Sequence, residues 1–309
     1  MTEITAARLN NLQARVELIL GNGAGQNGYG QTIASVNVLN DGNTTIEADD
    51  LNNIYADMIR ARIHQVGPGD LGIAEVIQNL NVIAEETSFF VNNSGITSVD
   101  ADGTKKGIAD FERLMTQIEA DKLIIHPSQA AIEPAISSVR VSPWNGLIVH
   151  EVQVNFTTED QRRHFFNTGG EIWFQANNSL ATTPKGLDWA QLCSQVGTIK
   201  FGANATISTT GGGSSIGNYD LNGSLQIIYQ KIGSGTYSAI YAGNIYTIKA
   251  RLDGNLRIVF RIEFNDVVVD NNVDNNVDGR LESTVRQYRA IGDYVEVPAP
   301  SYFNSSTLS

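Results

Sequence analysis

Between residues 256 and 264 every second side chain is large and apolar. Leu256, Ile258, Phe260, Ile262 and Phe264 fall on one face; Arg257, Val259, Arg261 and Glu263 fall on the other. A period of two belongs to a strand with one buried face. The same alternation runs through 148–156, where Ile148, His150, Val152, Val154 and Phe156 share a face, and through 171–176, 198–201, 225–230 and 246–252. Polar, glycine-rich loops separate these stretches, notably Ser208-Thr-Thr-Gly-Gly-Gly-Ser-Ser215. Many short strands with turn signals between them predict an antiparallel sandwich or barrel. There is no Cys-Trp-Cys pattern of a true immunoglobulin domain; an immunoglobulin-like or jelly-roll-like β-sandwich is the expectation.

Before about Ala135 the periodicity is helical. Ile4, Ala7, Leu9, Leu12, Val16, Ile19 and Leu20 recur at three- and four-residue steps, and Gly21 ends the run. A second helix is expected from Glu47 to His64 on the stripe Leu51, Ile54, Tyr55 and Met58, stopped by Gly67-Pro68-Gly69. Further helices are expected over 71–86 and over 110–121, the latter on Phe111, Leu114, Met115 and Ile118. Pro127 and Pro134 punctuate a linker. The class is therefore α+β: a mostly helical region over 1–135, then a β-sandwich over 136–309. Four short helices with long glycine connectors make a weak core alone. The first region is expected to dock against other chains.

The glycine run over 21–30 looks superficially like a dinucleotide loop. That chemistry needs a strand before the glycines and a helix opening from them. Here a helix precedes and a polar segment follows, so a flexible connector is expected.

Of the 309 residues 41% are hydrophobic, enough for real cores, while only 17% are charged against an average of about 25%. Asn, Ser, Thr and 29 glycines cover the surface instead, which suits loop-rich β proteins and faces packed between subunits. The net charge of −12 disfavours nucleic acid and anionic membranes as partners. Arg162 and Arg163 are the one adjacent arginine pair. A single cysteine, Cys193, excludes an intrachain disulfide and a cysteine zinc site. No segment is apolar enough to span a bilayer, and Met1-Thr-Glu-Ile lacks the features of a secretory signal. Folding in a cytoplasm is expected.

Little in the chain points to catalysis. The four histidines have no metal-ligand spacing, and His150, on the apolar face of its strand, is expected to be a hydrogen-bonded core residue. Adjacent carboxylates such as Asp49-Asp50 and Glu159-Asp160 suit helix starts. No enzyme activity and no resident cofactor are expected. One segment offers a cation alternate oxygens: Asp270, Asn272, Asp274, Asn276 and Asp278, followed by Gly279. It lacks a glutamate in register at the twelfth position, and a polar connector is the favoured reading over calcium. Trp173 shares a face with Glu171 and Gln175, opposite the apolar one; it is a candidate contact for a glycan or a partner subunit, against coverage by a loop or by the helix of Trp189.

The block over 150–175 combines a strand, a turn and a strand. Thr157 or Thr158 can cap a turn opened by Glu159 and Asp160; Arg162, Arg163 and His164 suit its C-terminal end; Gly169-Gly170 stops it. Phe165 and Phe166 are expected to plug the sandwich edge beneath. This block resembles one in structural proteins of tailed, myovirus-like bacteriophage particles, which carry Phe-Phe-Asn-x-Gly-Gly-Glu-Ile after an acidic-then-arginine turn. The resemblance extends to Gly28-Tyr29-Gly30, Arg62-Ile63-His64-Gln65 and the Gly-Thr-Ile-x-Phe-Gly at 197–202. It implies a virion component of neck, collar, tail, baseplate or fibre type. The implied partners are copies of itself and other virion proteins, or alternatively a host-surface glycan.

Overall fold

The computed structural model describes residues 6–37, 48–69, 82–84, 105–268 and 276–308. Its elements are helices α1 (Ala6–Leu20), α2 (Ala48–Val66), α3 (Ile108–Ala120), α4 (Glu159–Asn167) and α5 (Pro184–Val196), and strands β1 (Val82–Ala84) to β13 (Ser301–Ser306). The chain divides into two compact units. The first comprises 1–131 with 163–169 and 289–297; the second comprises 132–162, 170–288 and 298–309.

In the first unit Leu9, Leu12, Val16, Ile19 and Leu20 of α1 are buried, as are Ile54, Met58 and Ala61 of α2 and Phe111, Leu114, Met115 and Ile118 of α3. Ion pairs Arg8–Glu112 (2.7 Å) and Arg15–Glu119 (2.8 Å) join α1 to α3, and Arg62 of α2 reaches Asp121 (2.5 Å). The weak core expected for this region is instead well filled. The reason lies in the returning segments: Phe165, Phe166, Ala290, Val295 and Val297 add five buried apolar side chains that belong to this unit. Phe165 and Phe166 are fully buried and are assigned to this helical unit. The helix expected over 71–86 does not hold at Val82–Ala84, a strand paired in parallel with β2 (Lys105–Gly107); the rest of that stretch lies outside the described residues. The β-branched pair Val82-Ile83 favours an extended backbone once a partner strand is offered.

The second unit holds two antiparallel sheets. One has the order β13-β4-β11-β10-β9, with β4 (Leu147–Asn155), β9 (Gln226–Ile232), β10 (Ile245–Asp253) and β11 (Arg257–Asn265). The other has the order β3-β12-β5-β6-β7-β8, with β3 (Ala130–Arg140), β5 (Glu171–Ser179), β6 (Ile199–Phe201), β7 (Thr206–Ser208), β8 (Gly213–Ser214) and β12 (Arg280–Ala290). Their inner faces meet in a sandwich-like core: Phe260 of β11 lies 4.9 Å from Phe174 of β5 and 5.1 Å from Phe201 of β6, ring centre to ring centre. The alternation over 256–264 holds on one face, with Ile258, Phe260, Ile262 and Phe264 fully buried, while Val259 and Glu263 of the other face are buried as well (1% and 9%). Leu256 departs from it and is 44% exposed, because it precedes β11.

The outermost strands are tied across the sandwich by side chains. On one flank His150 of β4 bonds Ser283 of β12 through Nδ1 and Asn304 of β13 through Nε2, both at 2.8 Å. The Asn304 amide donates to the Ser137 carbonyl of β3 (3.1 Å). On the other flank the Ser214 hydroxyl of β8 donates to the Ile228 carbonyl of β9 (2.8 Å). These bonds occupy polar groups along edges that would otherwise invite another strand. His150 is thus a core residue with both ring nitrogens engaged, and burial holds its pKa below the usual histidine value.

Candidate functional site

Three of the stretches singled out in the sequence, Gly28-Tyr29-Gly30, Arg62–Gln65 and the end of α4 over 163–169, come together in the first unit. The glycine loop over 21–30 is not a loose connector. The Tyr29, Gly30 and Gln31 amides donate to the Ile19, Gly21 and Leu20 carbonyls at 2.8–2.9 Å. Arg163 donates to the Asn22 and Asn27 carbonyls (3.1 Å each), and the Asn167 amide donates to the Asn27 carbonyl (2.8 Å). Gly28 and Gly30 take φ of +97° and +72°, where only glycine is comfortable. A Cβ on Gly30 would also strike the His164 ring. Gly30→Ala is expected to cost at least about 2 kcal/mol, readable as a lowered denaturation midpoint.

Beneath the loop, Tyr29 is buried; its hydroxyl donates to the Lys122 carbonyl (2.8 Å) and accepts from Gln65 (3.1 Å). His64 packs edge-on against Tyr29 at 5.0 Å, and its Nε2 donates to the Thr168 carbonyl (2.9 Å). The remaining ring nitrogen, Nδ1, is buried with no partner. Burial pushes the His64 pKa down to about 4, against the carbonyl bond, which raises it. The arrangement binds one segment of chain to another. It is a structural lock.

Arg162 and Arg163 do not form a basic patch. Arg163 holds the glycine loop, while Arg162 donates to the Asn255 carbonyl (2.9 Å) and to Asn218 Oδ1 (2.6 Å) within the second unit. The cap of α4 forms as the sequence implies: Thr158 Oγ1 accepts from the Gln161 amide (2.9 Å), and Gln161 Oε1 accepts from the Thr157 amide (2.6 Å).

Of the five candidate cation ligands, Asp270, Asn272 and Asp274 lie outside the described residues. Asn276 is exposed. The Asp278 carboxylate accepts from the Thr182 amide and hydroxyl (2.8 and 2.6 Å) and from the Thr183 amide and hydroxyl (3.2 and 2.6 Å). Burial raises its pKa, and these bonds outweigh burial and hold it below the usual aspartate value. Its position beside Thr183, the N-cap of α5, places negative charge at the positive end of that helix. Among the described residues no three His, Cys, Asp or Glu side chains gather as a metal site. Cys193 is buried, which pushes its thiol up to about 12 and makes it a poor nucleophile.

The outward face of β12, β5 and β6 is the best-furnished surface. The register sets Arg286 opposite Trp173, Thr284 opposite Gln175 and Glu282 opposite Asn177, all on one face. Trp173 is half-buried and engaged by its own chain. It stacks on Tyr288 of β12 (5.3 Å, 18° between planes), Lys200 of β6 sits 4.4 Å from the ring centre, and the indole N–H donates to Glu171 (2.6 Å). Burial pushes the Glu171 carboxyl up against the opposing effects of that bond and of Lys200. Beside this cluster lies an open groove of 330 Å³ lined by Gln175, Ala176, Asn177, Glu282, Thr284 and Arg286. Glu282 is paired with Arg280 (2.6 Å), and Gln175 donates to Thr198 (2.8 Å). Arg286, Thr284 and Asn177 have no side-chain partner among the described residues. Sequence reasoning found Trp173 and expected a strand near Leu281, but missed Arg286, whose signal is its exposed position opposite that tryptophan on β12.

A second surface lies at one end of the five-stranded sheet. Leu147, Asn265, Ile245 and Ile232 form one row across β4, β11, β10 and β9. Around that row Leu147 is 50% exposed, Ile232 56%, Val267 44%, and Tyr237 and Ile240 of the β9–β10 connection 53% and 55%.

No helix among the described residues is long and apolar enough to cross a membrane. Compared with known protein families, curated proteins and solved structures, the chain matches none.

Proposed function

We propose that this chain is a non-enzymatic structural component of a tailed-phage particle, of neck, collar, tail, baseplate or fibre type. It acts through contacts with further copies of itself and with other virion proteins. The observation that carries the reading is the apolar end of the five-stranded sheet. Five large apolar side chains at that end are each at least 44% exposed: Leu147 and Ile232 at the two ends of the register row, Val267 just past β11, and Tyr237 and Ile240 in the β9–β10 connection. Clustered exposed apolar groups mark surfaces that are covered in the working assembly. The order of motifs shared with phage structural proteins supports the particle, and the low charged fraction of 17% supports packed subunits. We further infer an immunoglobulin-like or jelly-roll-like sandwich, a reading supported by the two antiparallel sheets and their shared aromatic core.

Sedimentation velocity tests the assembly. The full chain is expected to sediment as an oligomer, and Ile232→Asp combined with Ile240→Asp is expected to give a folded monomer. A wild-type chain that remains monomeric at tens of micromolar removes the reading, as does an oligomer indifferent to both substitutions.

A further inference from the structure

We propose that the groove on the outward face of β5 and β12 binds a saccharide bearing a carboxylate, with Arg286 as the anion-binding residue. This inference is independent of the assembly reading, because its residues lie outside the apolar end.

The chain carries −12 overall, and its arginines are mostly engaged: Arg8, Arg15, Arg60, Arg62, Arg162 and Arg163 all contact a carboxylate or a carbonyl. Arg286 stands apart. It is exposed, directly opposite Trp173, and makes no ion pair or hydrogen bond among the described residues. A guanidinium left open beside a groove is preorganised for a planar two-oxygen acceptor such as a carboxylate.

The remaining lining fits hydroxyl groups. Asn177 and Thr284 offer an unpartnered amide and hydroxyl, and Gln175, having donated to Thr198, keeps its carbonyl oxygen as an acceptor. Their alternation along two paired strands sets polar groups at regular spacing over a flat surface, as a chain of sugar rings requires. The carboxylate of Glu282 also faces the groove, but Arg280 neutralises it at 2.6 Å. Lys200 lies outside the lining, over the Trp173 ring, and brings a second positive charge to the same face of the sheet. The volume of 330 Å³ lies within the range of about 300–1,000 Å³ typical of small-molecule sites. An apolar ligand finds little here, since Ala176 is the one apolar lining residue. The Trp173 ring, already stacked on Tyr288, does not line the groove; it stands next to it on the same face, opposite the lining residue Arg286.

The same tryptophan provides the readout. Trp144 and Trp189 are 4% and 0% exposed, so a ligand in the groove perturbs Trp173 before either of them. The full chain would be titrated with trigalacturonate, with maltotriose as the uncharged control and acetate as the bare anion, following fluorescence and heat. Trigalacturonate is expected to bind saturably and to weaken with added salt, and both controls are expected to bind at least about tenfold more weakly. Arg286→Ala is expected to lower trigalacturonate affinity roughly ten- to a hundredfold at an unchanged denaturation midpoint, with Arg286→Lys between the two. Three outcomes overturn the proposal: no fluorescence or heat change at millimolar trigalacturonate, equal binding of acetate, or equal binding by Arg286→Ala. Binding of maltotriose as tight as that of trigalacturonate overturns it too, by removing the carboxylate from recognition.

Discussion

Replacing Lys185 by Met is expected to lower the unfolding free energy by about 3–5 kcal/mol. Lys185 and Asp266 are both 0% exposed, with Nζ 2.6 Å from Oδ2, and the ammonium also donates to the Val268 carbonyl (2.8 Å). Lysine in the first turn of α5 opposes the helix dipole, so its presence there is explained by Asp266 and not by the helix. Burial already pushes the Asp266 carboxyl up; Lys185 and the Val268 and Gly146 amides pull against that effect. Without the lysine, Asp266 must take a proton or remain a buried charge. A double change, Lys185→Met with Asp266→Leu, removes both charges and is expected to recover part of the loss, since an apolar pair can replace a buried ion pair at little cost. Urea titration of the two variants checks both statements. A double variant less stable than the single one by more than about 1 kcal/mol would mean that the carboxylate holds the Val268 and Gly146 amides more than it holds the lysine.

Acid is expected to remove about 3 kcal/mol of stability between pH 6.5 and pH 4 through His64 alone. Its folded pKa of about 4 lies below the unfolded value near 6.5, so the unfolded chain binds the extra proton throughout that window. Stability contributed by neutral His64 is therefore complete above pH 6.5 and is lost as pH falls toward 4. A gap of about 2.5 pH units at about 1.4 kcal/mol each gives about 3.5 kcal/mol in full, of which about 3 kcal/mol is gone by pH 4, where the folded-state imidazole is half protonated. The structural cause is visible: protonation places an N–H on Nδ1, which is buried without an acceptor. His150, whose pKa is also lowered by burial, adds in the same direction. Denaturant titrations at pH 7 and pH 4.5 measure the loss. His64→Gln keeps a donor for the Thr168 carbonyl and is expected to flatten most of the dependence. An unchanged slope in that variant would assign the acid sensitivity elsewhere.

Much of the fold is legible in the sequence where one face is apolar and the other polar. The stretches over 148–156 and 256–264 became β4 and β11 within a residue or two, because a slip by one would turn Phe260 and Val152 outward. β3 and β13 escaped notice for a physical reason. They are edge strands, and of their residues only Ser138 is buried, so no alternation is imposed on them. Pro134 read as punctuation but sits within β3, where an edge strand tolerates a missing donor. The glycine run over 21–30 misled most. Its composition is that of a linker, and its order comes from Arg163 and Asn167, more than a hundred residues later in the chain. The candidate site was legible by half: Trp173 follows from strand period, while Arg286 needed the pairing of β12 with β5.

The returning segments of the first unit bear on biosynthesis. Its opening helices leave the ribosome early, yet Phe165 and Phe166 and then Val295 and Val297 must be translated before its interior closes. Maturation of this half is thus postponed until synthesis has passed residue 297 of 309. Nascent chains stalled earlier should expose α1 and α3 to proteases, and a fragment ending near residue 135 should behave as an unfinished polypeptide and not as an autonomous module.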